Sequence, residues 1–340
     1  MTRSDRRTVA RSRRRRRAVS VLTGLVAFTL AGCATESVTP GATTSVAYAT
    51  VGSGVPDPGS TVAVVDTATG TLGRPVTVGT LPAALALLPG AKDLLVAVKA
   101  QNELVEVSTA TGRVVRRVVV GLEPDAVAVT PDGSLALVAN FGDGTVTAVH
   151  VGDFTVGATV AVGRQPVAVA VTPDGSRALV ADFQDGTLTP IALPALSAGT
   201  PVAVGPEPSA VFIASDGATA LVAGFQTSSV TPVALPALVP GPAVSIGANP
   251  TGIAAAPGSP VAWVSAGDGI TPVAIATGQV GNPIAIGTSA ECLAVAHGGA
   301  IWVCGGDGAL VEVDPATGKV SRTVALGGLP SAVVVSPSGS

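Results

Sequence analysis

Residues 162–181 read VGRQPVAVAVTPDGSRALVA, and variants of this phrase recur along the chain. The positions of its opening glycine are Gly79, Gly121, Gly163, Gly205, Gly247, Gly287 and Gly327. Successive glycines lie 42 residues apart, and 40 apart in the last two intervals. A near-constant period of about 40 to 45 residues is typical of solenoids, propellers and other repeat architectures. The repeat therefore decides the fold class before any single element is assigned.

Each repeat unit contains four short runs rich in Val, Thr and Ala. The runs in the unit from Gly121 are 126–129, 135–139, 145–149 and 158–162. The segment Pro131-Asp132-Gly133 has the composition of a type I turn, and Asp143-Gly144 has that of a tight hairpin. Runs of this length and composition favour strands over helices. Four strands per unit are typical of a propeller blade.

The two ends of the chain predict how the ring closes. After Gly327 only one run fits, at 332–335. Before Gly79 there are three runs, at 46–51, 61–65 and 75–78, and no first strand. We therefore expect the C-terminal strand to complete the N-terminal blade. The predicted fold is all-β, a seven-bladed propeller of four-stranded blades over residues 46–340, in which closure leaves no open gap between blades.

The overall net charge of −3 hides an uneven distribution along the chain. Residues 1–32 contain nine arginines, and the remainder contains ten basic and 21 acidic residues, a balance of −11. General electrostatics therefore disfavours nucleic acid as a partner of the domain. Hydrophobic residues make up 47% of the chain but aromatic residues only 3%, so we expect the blades to pack through Val, Ala, Leu and Ile.

The N-terminus has the pattern of an export signal. Five arginines at 13–17 precede an apolar run of 13 residues at 18–30, which is too short to span a bilayer. The run ends in Leu30-Ala31-Gly32-Cys33, which resembles the lipobox of bacterial lipoproteins. The resemblance implies a signal peptide at 1–32, a lipid-modified Cys33 as the mature N-terminus, and anchoring at the cell membrane, outside the cytoplasm. An ordinary cleavage site with an incidental cysteine is the alternative, and both Sec and twin-arginine export remain open.

Residues 33–45 are rich in Thr, Ser, Gly and Pro and are interpreted as a flexible tether. Lipidation of Cys33 leaves Cys292 and Cys304, which fall on the first and second strands of one predicted blade. Antiparallel partners have position numbers with a constant sum, and 292 and 304 match the partners 294 and 302. We expect a disulfide here because export is an oxidising setting. Buried unbonded thiols are the alternative.

The loops on one face of the predicted ring form the candidate binding site. In a propeller, the fourth-to-first and second-to-third connections share one face around the channel mouth, and loops on a rigid scaffold are where binding residues tend to lie. The equivalent loop positions differ from blade to blade, while the strands repeat. The candidate residues are Glu123, Asp125, Arg164, Gln165, Asp182, Glu207, Asn249 and Glu291. Ordinary solvated loops are the alternative interpretation of this mostly acidic set.

Motifs for catalysis are not found in the sequence. His150 and His297 lie in different blades without a neighbouring carboxylate motif, and there is no Gly-x-Ser-x-Gly elbow or phosphate-binding loop. The Asp-Gly pairs at 143–144, 185–186, 268–269 and 307–308 suit hairpin turns better than calcium loops, which need several oxygen ligands close together. We therefore predict no cofactor, no metal and no catalytic residue.

The repeat resembles the YVTN-type β-propeller of surface-layer and surface-antigen proteins. The matching pieces are the Val-Gly-x-x-Pro anchor, the Val-Thr-Pro-Asp-Gly turn at 171–175, and the Leu-Val-Ala-Asn/Asp step at 137–140 and 179–182. The stretch at 61–70 also matches, whereas Leu-Val-Ala replaces Tyr-Val-Thr and the blades after 247 are degenerate. Such propellers host binding proteins and several enzymes, so the resemblance implies a fold without fixing a function.

Two functional hypotheses follow. In the first, the chain is a membrane-anchored binding or scaffold module at the cell surface, with an unknown protein, glycan or small molecule as its ligand. In the second, it is a metal-dependent hydrolase or lactonase-like enzyme whose metal is held by Glu123, Asp125, Glu207 and Glu291. The hypotheses differ in geometry, because an enzyme needs several carboxylates to converge on one point.

Overall fold

The computed structural model describes residues 45–52 and 59–337. These residues form seven antiparallel sheets in a ring, and the first strands of successive sheets contact one another around its centre. This confirms the predicted all-β, seven-bladed propeller. A short 3₁₀ helix, Lys99–Gln101, follows the second strand of one blade.

The blades are numbered here in chain order. Blade 1 contains β1 (Val46–Val51), β2 (Thr61–Asp66) and β3 (Val76–Thr77). Blade 2 contains β4 (Pro82–Leu87), β5 (Asp93–Val98), β6 (Glu103–Ser108) and β7 (Arg113–Val119). Blade 3 contains β8 (Pro124–Val129), β9 (Leu135–Asn140), β10 (Thr145–His150) and β11 (Thr155–Ala161). Blade 4 contains β12 (Pro166–Val171), β13 (Arg177–Asp182), β14 (Thr187–Ala192), β15 (Ser197–Ala198) and β16 (Val202–Ala203).

Blade 5 contains β17 (Pro208–Ile213), β18 (Thr219–Gly224), β19 (Ser229–Ala234), β20 (Val239–Pro240) and β21 (Val244–Ser245). Blade 6 contains β22 (Gly252–Ala254), β23 (Val261–Ala266), β24 (Gly269–Ala274) and β25 (Ile284–Ala285). Blade 7 contains β26 (Ala290–Val295), β27 (Ile301–Gly305), β28 (Ala309–Asp314) and β29 (Lys319–Ala325). The last strand, β30 (Val333–Val335), returns to blade 1.

The C-terminal strand closes the ring as the sequence predicts. β30 pairs antiparallel with β1, with Val333 opposite Ala49 and Val335 opposite Ala47. Beyond the strand, the Ser336 N–H donates to the Val46 carbonyl at 2.8 Å. The first strand of blade 1 therefore comes from the opposite end of the chain to the other three, and the closure is a β-ladder rather than a loop contact.

Small and large side chains alternate between the faces of most first strands, and this alternation explains how aromatic-poor blades pack. Ala84 and Ala86 of blade 2 share a buried cluster with Val127 and Val129 of blade 3. Successive side chains of a strand point to opposite faces, so such a blade presents small side chains to the next blade and large ones to the previous blade. Val334 of blade 1 and Phe212 of blade 5 are exceptions, because each is a large side chain facing the next blade. The small face lets the neighbouring sheet approach closely, and interiors at this density leave few voids.

The fourth strands differ between blades because of proline. Pro190 and Pro232 occupy third-strand positions equivalent to Glu106 of blade 2. The Pro190 carbonyl points towards the fourth strand, where it accepts from the Gly199 N–H at 2.7 Å. Its nitrogen faces the same way and has no hydrogen to donate, so the ladder is interrupted there. The fourth strands of blades 4 and 5 are accordingly split into two short pieces.

Cys292 and Cys304 form a disulfide across the first hairpin of blade 7. They are direct partners in the ladder between β26 and β27, with their Cα atoms 4.9 Å apart. The equivalent ladder pairs of blades 2 to 5 are alanine opposite alanine, for example Ala126 opposite Ala139. Both cysteines are buried in the cluster that joins blade 7 to the closing strand. The disulfide therefore replaces an alanine pair beside the closure.

We expect the double variant Cys292→Ala/Cys304→Ala to lower the free energy of unfolding by about 3 kcal/mol, because the bond restricts a loop of 12 residues in the unfolded chain. Alanine is the residue that the other blades use here, so the substitution adds no polar atom to the core. Urea unfolding with and without reductant measures the effect. The reductant should destabilise only the parent protein, and equal sensitivity in both proteins would contradict a stabilising disulfide.

Candidate functional site

The loops that connect fourth to first strands and second to third strands lie on one face of the ring, called the loop face below. The chain reverses direction at every strand, so the remaining hairpin turns lie on the opposite face, called the turn face. Within the described residues, a positive φ recurs at the same non-glycine position of the loop face in five blades. The residues are Leu81, Glu123, Gln165, Glu207 and Asn249, with φ between 51° and 58°.

This repeated conformation fixes the backbone of the loop face. The Glu123 carbonyl accepts from the Phe141 N–H at 3.0 Å, and the Gln165 carbonyl accepts from the Phe183 N–H at the same distance. Glu207 and Leu81 make the equivalent bond, at 2.9 Å in each case. Left-handed backbone is costly for side chains other than glycine and persists where the surroundings require it. The frame is therefore constant between blades, while the side chains it presents are not.

Asp125 lies in this face by sequence but is buried, with 1% of its surface exposed. A β-bulge between Pro124 and Ala126 turns it into the inner rim, where it accepts a hydrogen bond from Lys99 Nζ of blade 2 at 3.0 Å. Burial raises the pKa of Asp125, and the Lys99 charge opposes that rise. Lys99 also lies 4.6 Å from the centre of the Phe141 ring. Asp125 therefore links two blades and is not presented to a ligand.

Hydroxyl groups at the position equivalent to Asp125 also link neighbouring blades. Ser209 Oγ donates to the Pro250 carbonyl at 2.6 Å, and Thr251 Oγ1 donates to the Ala290 carbonyl at 3.0 Å. Ser331 Oγ donates to the Pro82 carbonyl at 3.2 Å across the closure. Each bond runs from one blade to the next in the same direction. This part of the inner rim therefore holds the ring together.

Asp182 is fully buried at the end of β13, and its hydrogen-bond partners lie in its own blade and the adjoining loop. Its Oδ1 accepts from the Gly163 N–H at 3.0 Å, and its Oδ2 accepts from Thr187 and Thr189 at 2.9 and 2.5 Å. A Cβ on Gly163 would lie 2.5 Å from the Asp182 carboxyl carbon, which explains the anchor glycine here. Burial raises the pKa of Asp182 to about 6, although these hydrogen bonds favour the ionised form.

We expect Asp182→Asn to remove a pH dependence of stability between about pH 4 and pH 7. The folded pKa lies above the unfolded value, so the folded state binds more protons in this window and its stability falls as pH rises. A shift of about two units corresponds to about 3 kcal/mol, lost in full above pH 7. Carboxylates other than the neighbouring Asp185 do not interact with Asp182, so the change in unfolding free energy between pH 4.5 and pH 8, compared between the two proteins, reports mainly on Asp182.

Blade 3 provides the matched control for this prediction. Asn140 occupies the equivalent position and donates from Nδ2 to Thr145 and Thr147, both at 2.9 Å, so the site accommodates an amide. Asn140→Asp should therefore introduce the pH dependence that Asp182→Asn removes. Parallel stability curves for the parent and either variant would show that the buried carboxylate does not titrate as described.

The remaining candidate residues of the loop face are at least partly exposed. Arg164 Nε donates to Asp185 Oδ1 at 2.6 Å, and the two side chains form an ion pair. Glu207 accepts from Gln226 at 3.5 Å, and Glu291 accepts from Ser289 Oγ at 2.7 Å. Gln165 is partly exposed, and Glu123 and Asn249 are exposed. The surface is thus made by these side chains and their loop neighbours, without Asp125 and Asp182.

The acidic side chains of this face are distributed around the ring. Within residues 45–52 and 59–337, no group of three His, Cys, Asp or Glu side chains is close enough to hold a metal ion. Glu123, Glu207 and Glu291 belong to blades 3, 5 and 7, and Asp125 is engaged by Lys99. The described residues therefore supply no ligand set for the metal-dependent hydrolase hypothesis.

The N-terminal predictions fall outside the described residues. The signal peptide at 1–32, the lipidated Cys33 and most of the tether at 33–45 belong to this part of the chain. In the part of the chain that the structure describes, no helix has the length and apolarity needed to cross a bilayer.

Solved structures with similar folds cover most of the chain. A protein of unknown function from Desulfotomaculum acetoxidans DSM 771 aligns with a TM-score of 0.75 and 15% identity over 86% of this chain and 99% of its own. A Bacteroides uniformis ATCC 8492 protein provisionally described as a 6-phosphogluconolactonase aligns with a TM-score of 0.71 and 16% identity over the same shares. Kuenenia stuttgartiensis hydrazine synthase aligns with a TM-score of 0.66 and 15% identity over 79% of this chain and 90% of its own.

At these identities the similarities show the fold alone, because propellers of one architecture host unrelated functions. No family model matches the chain, and no curated protein sequence matches it. The resemblance to YVTN-type repeats therefore remains a prediction from the sequence. The fold and the solved structures similar to it establish a seven-bladed β-propeller.

Proposed function

We propose that the chain is an exported, membrane-anchored β-propeller that acts as a binding or scaffold module at the cell surface through its loop face. The observation that carries the proposal is the repeated backbone frame of that face. Five blades hold a non-glycine residue in the left-handed region at the same point, yet its side chain changes from Leu to Glu, Gln, Glu and Asn. A constant frame with variable side chains is a suitable basis for a recognition surface.

Charge narrows the class of partner. The lysine and arginines described on the loop face, Lys99, Arg117 and Arg164, are each in an ion pair. Glu123, Glu207 and Glu291 form no ion pair within the described residues. The face is therefore negative overall, which favours encounter with cationic rather than anionic partners.

Site-specific photocrosslinking in living cells tests the proposal. A photoreactive residue replaces Gln226 on the loop face, and a matched residue replaces Ala237 on the turn face of the same blade; both positions are exposed. We expect a discrete adduct from position 226 that weakens when Glu207→Gln is added, and none from position 237. Equal adducts from both positions, or none from 226, would contradict recognition through the loop face.

The metal-dependent hydrolase is the alternative, and a thermal melt separates it from the binding module. A metal that binds only the folded state at about one hundred times its dissociation constant would add about 2.7 kcal/mol. We expect no rise in melting temperature with calcium, zinc, magnesium or manganese after chelation. A clear rise with one of them, removed by Glu123→Gln or Glu291→Gln, would favour the enzyme.

A further inference from the structure

The chain enters the propeller on the turn face. Ser45 precedes β1, and its carbonyl accepts from the Thr67 N–H in a turn of that face at 3.0 Å. The Val46 N–H donates to Ser336 Oγ at 2.9 Å, so the point of entry also adjoins the end of the closing strand. Ser45 follows Cys33 by 12 positions in the sequence, so the chain between them spans at most about 40 Å. A lipid on Cys33 would therefore hold the turn face of blade 1 near the bilayer.

Cationic side chains gather around this point of entry. Blade 1 and its two neighbours, blades 2 and 7, carry six of the ten lysines and arginines in the described residues on the turn side of their strands. These are Arg74, Lys92, Arg113, Arg116, Lys319 and Arg322. Among the described residues, Arg177 is the only lysine or arginine on the turn side of the other four blades.

Four of these cations are available to an external anion. Arg116 and Arg322 are in ion pairs with Glu106 and Glu312 and reach across to the next blade. Arg74, Lys92, Arg113 and Lys319 are exposed and form no ion pair within the described residues. They lie on three adjacent blades, and we call them the basic sector.

We propose that the basic sector docks the propeller onto the anionic surface of the bilayer, with the turn face inward and the loop face outward. The inference rests on the membrane anchoring proposed above. Basic residues near an anionic leaflet are attracted over about a Debye length, and a tether keeps their local concentration high. On the turn side of these three blades the six cations are accompanied by five carboxylates, Asp66, Asp93, Glu106, Glu312 and Asp314. The loop face carries three cations against ten described carboxylates and would be repelled much more strongly. Anchor position and charge therefore favour the same orientation, which leaves the candidate binding residues accessible.

Energy transfer to the bilayer tests this orientation. The chain from Cys33 onwards, which retains every described residue, is coupled through the Cys33 thiol to a maleimide lipid in vesicles that contain a lipid-bound acceptor. A donor is placed by a bio-orthogonal residue at Ala110 on the turn face or at Gln226 on the loop face. With 30 mol% phosphatidylglycerol we expect strong transfer from position 110 and weak transfer from 226. Pure phosphatidylcholine or 0.5 M salt should reduce the difference.

Substitutions then identify the docking residues. We expect the triple variant Lys92→Gln/Arg113→Gln/Lys319→Gln to lower the ratio of docked to undocked protein roughly a hundredfold, because each cation removed lowers it about fivefold. Two single variants provide the matched comparison. Arg113→Gln in the basic sector should weaken docking, whereas Arg177→Gln on the distant blade 4 should not. Equal transfer from both donor positions, or no response to the triple variant, would overturn the proposal.

Chemical coupling keeps this test separate from the proposed function. The orientation is measured even if cells do not lipidate Cys33, because the maleimide lipid replaces the natural anchor. The mass of Cys33 in protein taken from cells reports on lipidation independently. A correct orientation on an unlipidated protein would therefore refute the anchor and leave the charge geometry intact.

Discussion

Deleting residues 331–340 should lower the melting temperature of the propeller by at least about 10 °C or prevent folding. The deletion removes β30, in which Val333, Val334 and Val335 are almost wholly buried between blades 1, 2 and 7. Losing three buried valines costs about 5 kcal/mol or more, a large fraction of the stability of a typical domain. It also leaves the β1 edge unpaired and the ring open. A scanning calorimetry melt measures the change.

Two further variants separate ring closure from the general effect of truncation. A chain that ends at residue 337 keeps every described residue, including β30, and should melt like the parent. Val334→Asp keeps the full length but places a charge in the cluster that contains Tyr48 and Leu85, and it should be as damaging as the deletion. An unchanged melt for the 331–340 deletion would contradict closure by the C-terminal strand.

Arg116→Ala should lower the free energy of unfolding by about 3 to 5 kcal/mol. Arg116 forms a two-point ion pair with Glu106, which is 3% exposed, and removing one partner leaves a buried charge uncompensated. The same guanidinium donates to the Val151 and Gly152 carbonyls of blade 3 at 3.1 and 2.9 Å and lies 4.9 Å from the Phe154 ring. The variant therefore weakens blade 2 and its contact with blade 3. Urea unfolding at pH 7 measures the loss.

The adjacent arginine provides the control. Arg117 pairs with Glu103 at 3.0 Å and is about as exposed as Arg116, 39% against 35%, but the Glu103 side chain is 22% exposed whereas that of Glu106 is 4% exposed. Glu103 therefore stays partly solvated without its partner, and exposed pairs contribute at most about 1 kcal/mol. Arg117→Ala should therefore have a much smaller effect. Glu106→Gln/Arg116→Met, which removes both charges, should recover part of the loss. Equal effects of Arg116→Ala and Arg117→Ala would contradict the role assigned to the buried pair.

The repeat predicts the fold well because each level of the sequence favours the same structure. The Pro-Asp-Gly turns, the short Val-rich runs and the missing first strand each favour a closed ring, and the ladder confirms the closure at Val333 and Val335. The pairing of Cys292 with Cys304 follows from register alone, since a tight hairpin fixes which residues are opposite. Local sequence patterns are therefore sufficient to predict strand pairing where each strand pairs with its neighbour in the sequence.

The candidate site was less predictable because burial at strand ends depends on contacts between blades. Asp125 and Glu123 are two residues apart, yet the bulge at Pro124 turns the first inward and leaves the second exposed. Asp182 is enclosed by Thr187 and Thr189 of the next strand. Lys99 is also an unpredicted partner of Asp125. The available signal was that Lys99 replaces the phenylalanine that recurs at 141, 183 and 225.

The basic sector was missed for a related reason. Arg74, Lys92, Arg113 and Lys319 are far apart in the chain, and counting charges over the whole domain gives only a negative balance. Ring closure brings blade 7 beside blade 1, and only then do these residues surround the tether. The charges of a propeller can therefore be assigned to a face and to neighbouring blades only after the ring closure is known.

We propose that Cys33 holds the propeller at the membrane so that its loop face can bind a partner. The most direct measurement is the intact mass of the protein extracted from the membranes of expressing cells, compared with a Cys33→Ala variant. We predict a mature chain that begins at Cys33 and carries the added mass of a diacylglyceryl group, whereas Cys33→Ala should yield no lipid-bearing chain. A membrane-extracted chain with unmodified Cys33, or one that begins elsewhere, would contradict the claim.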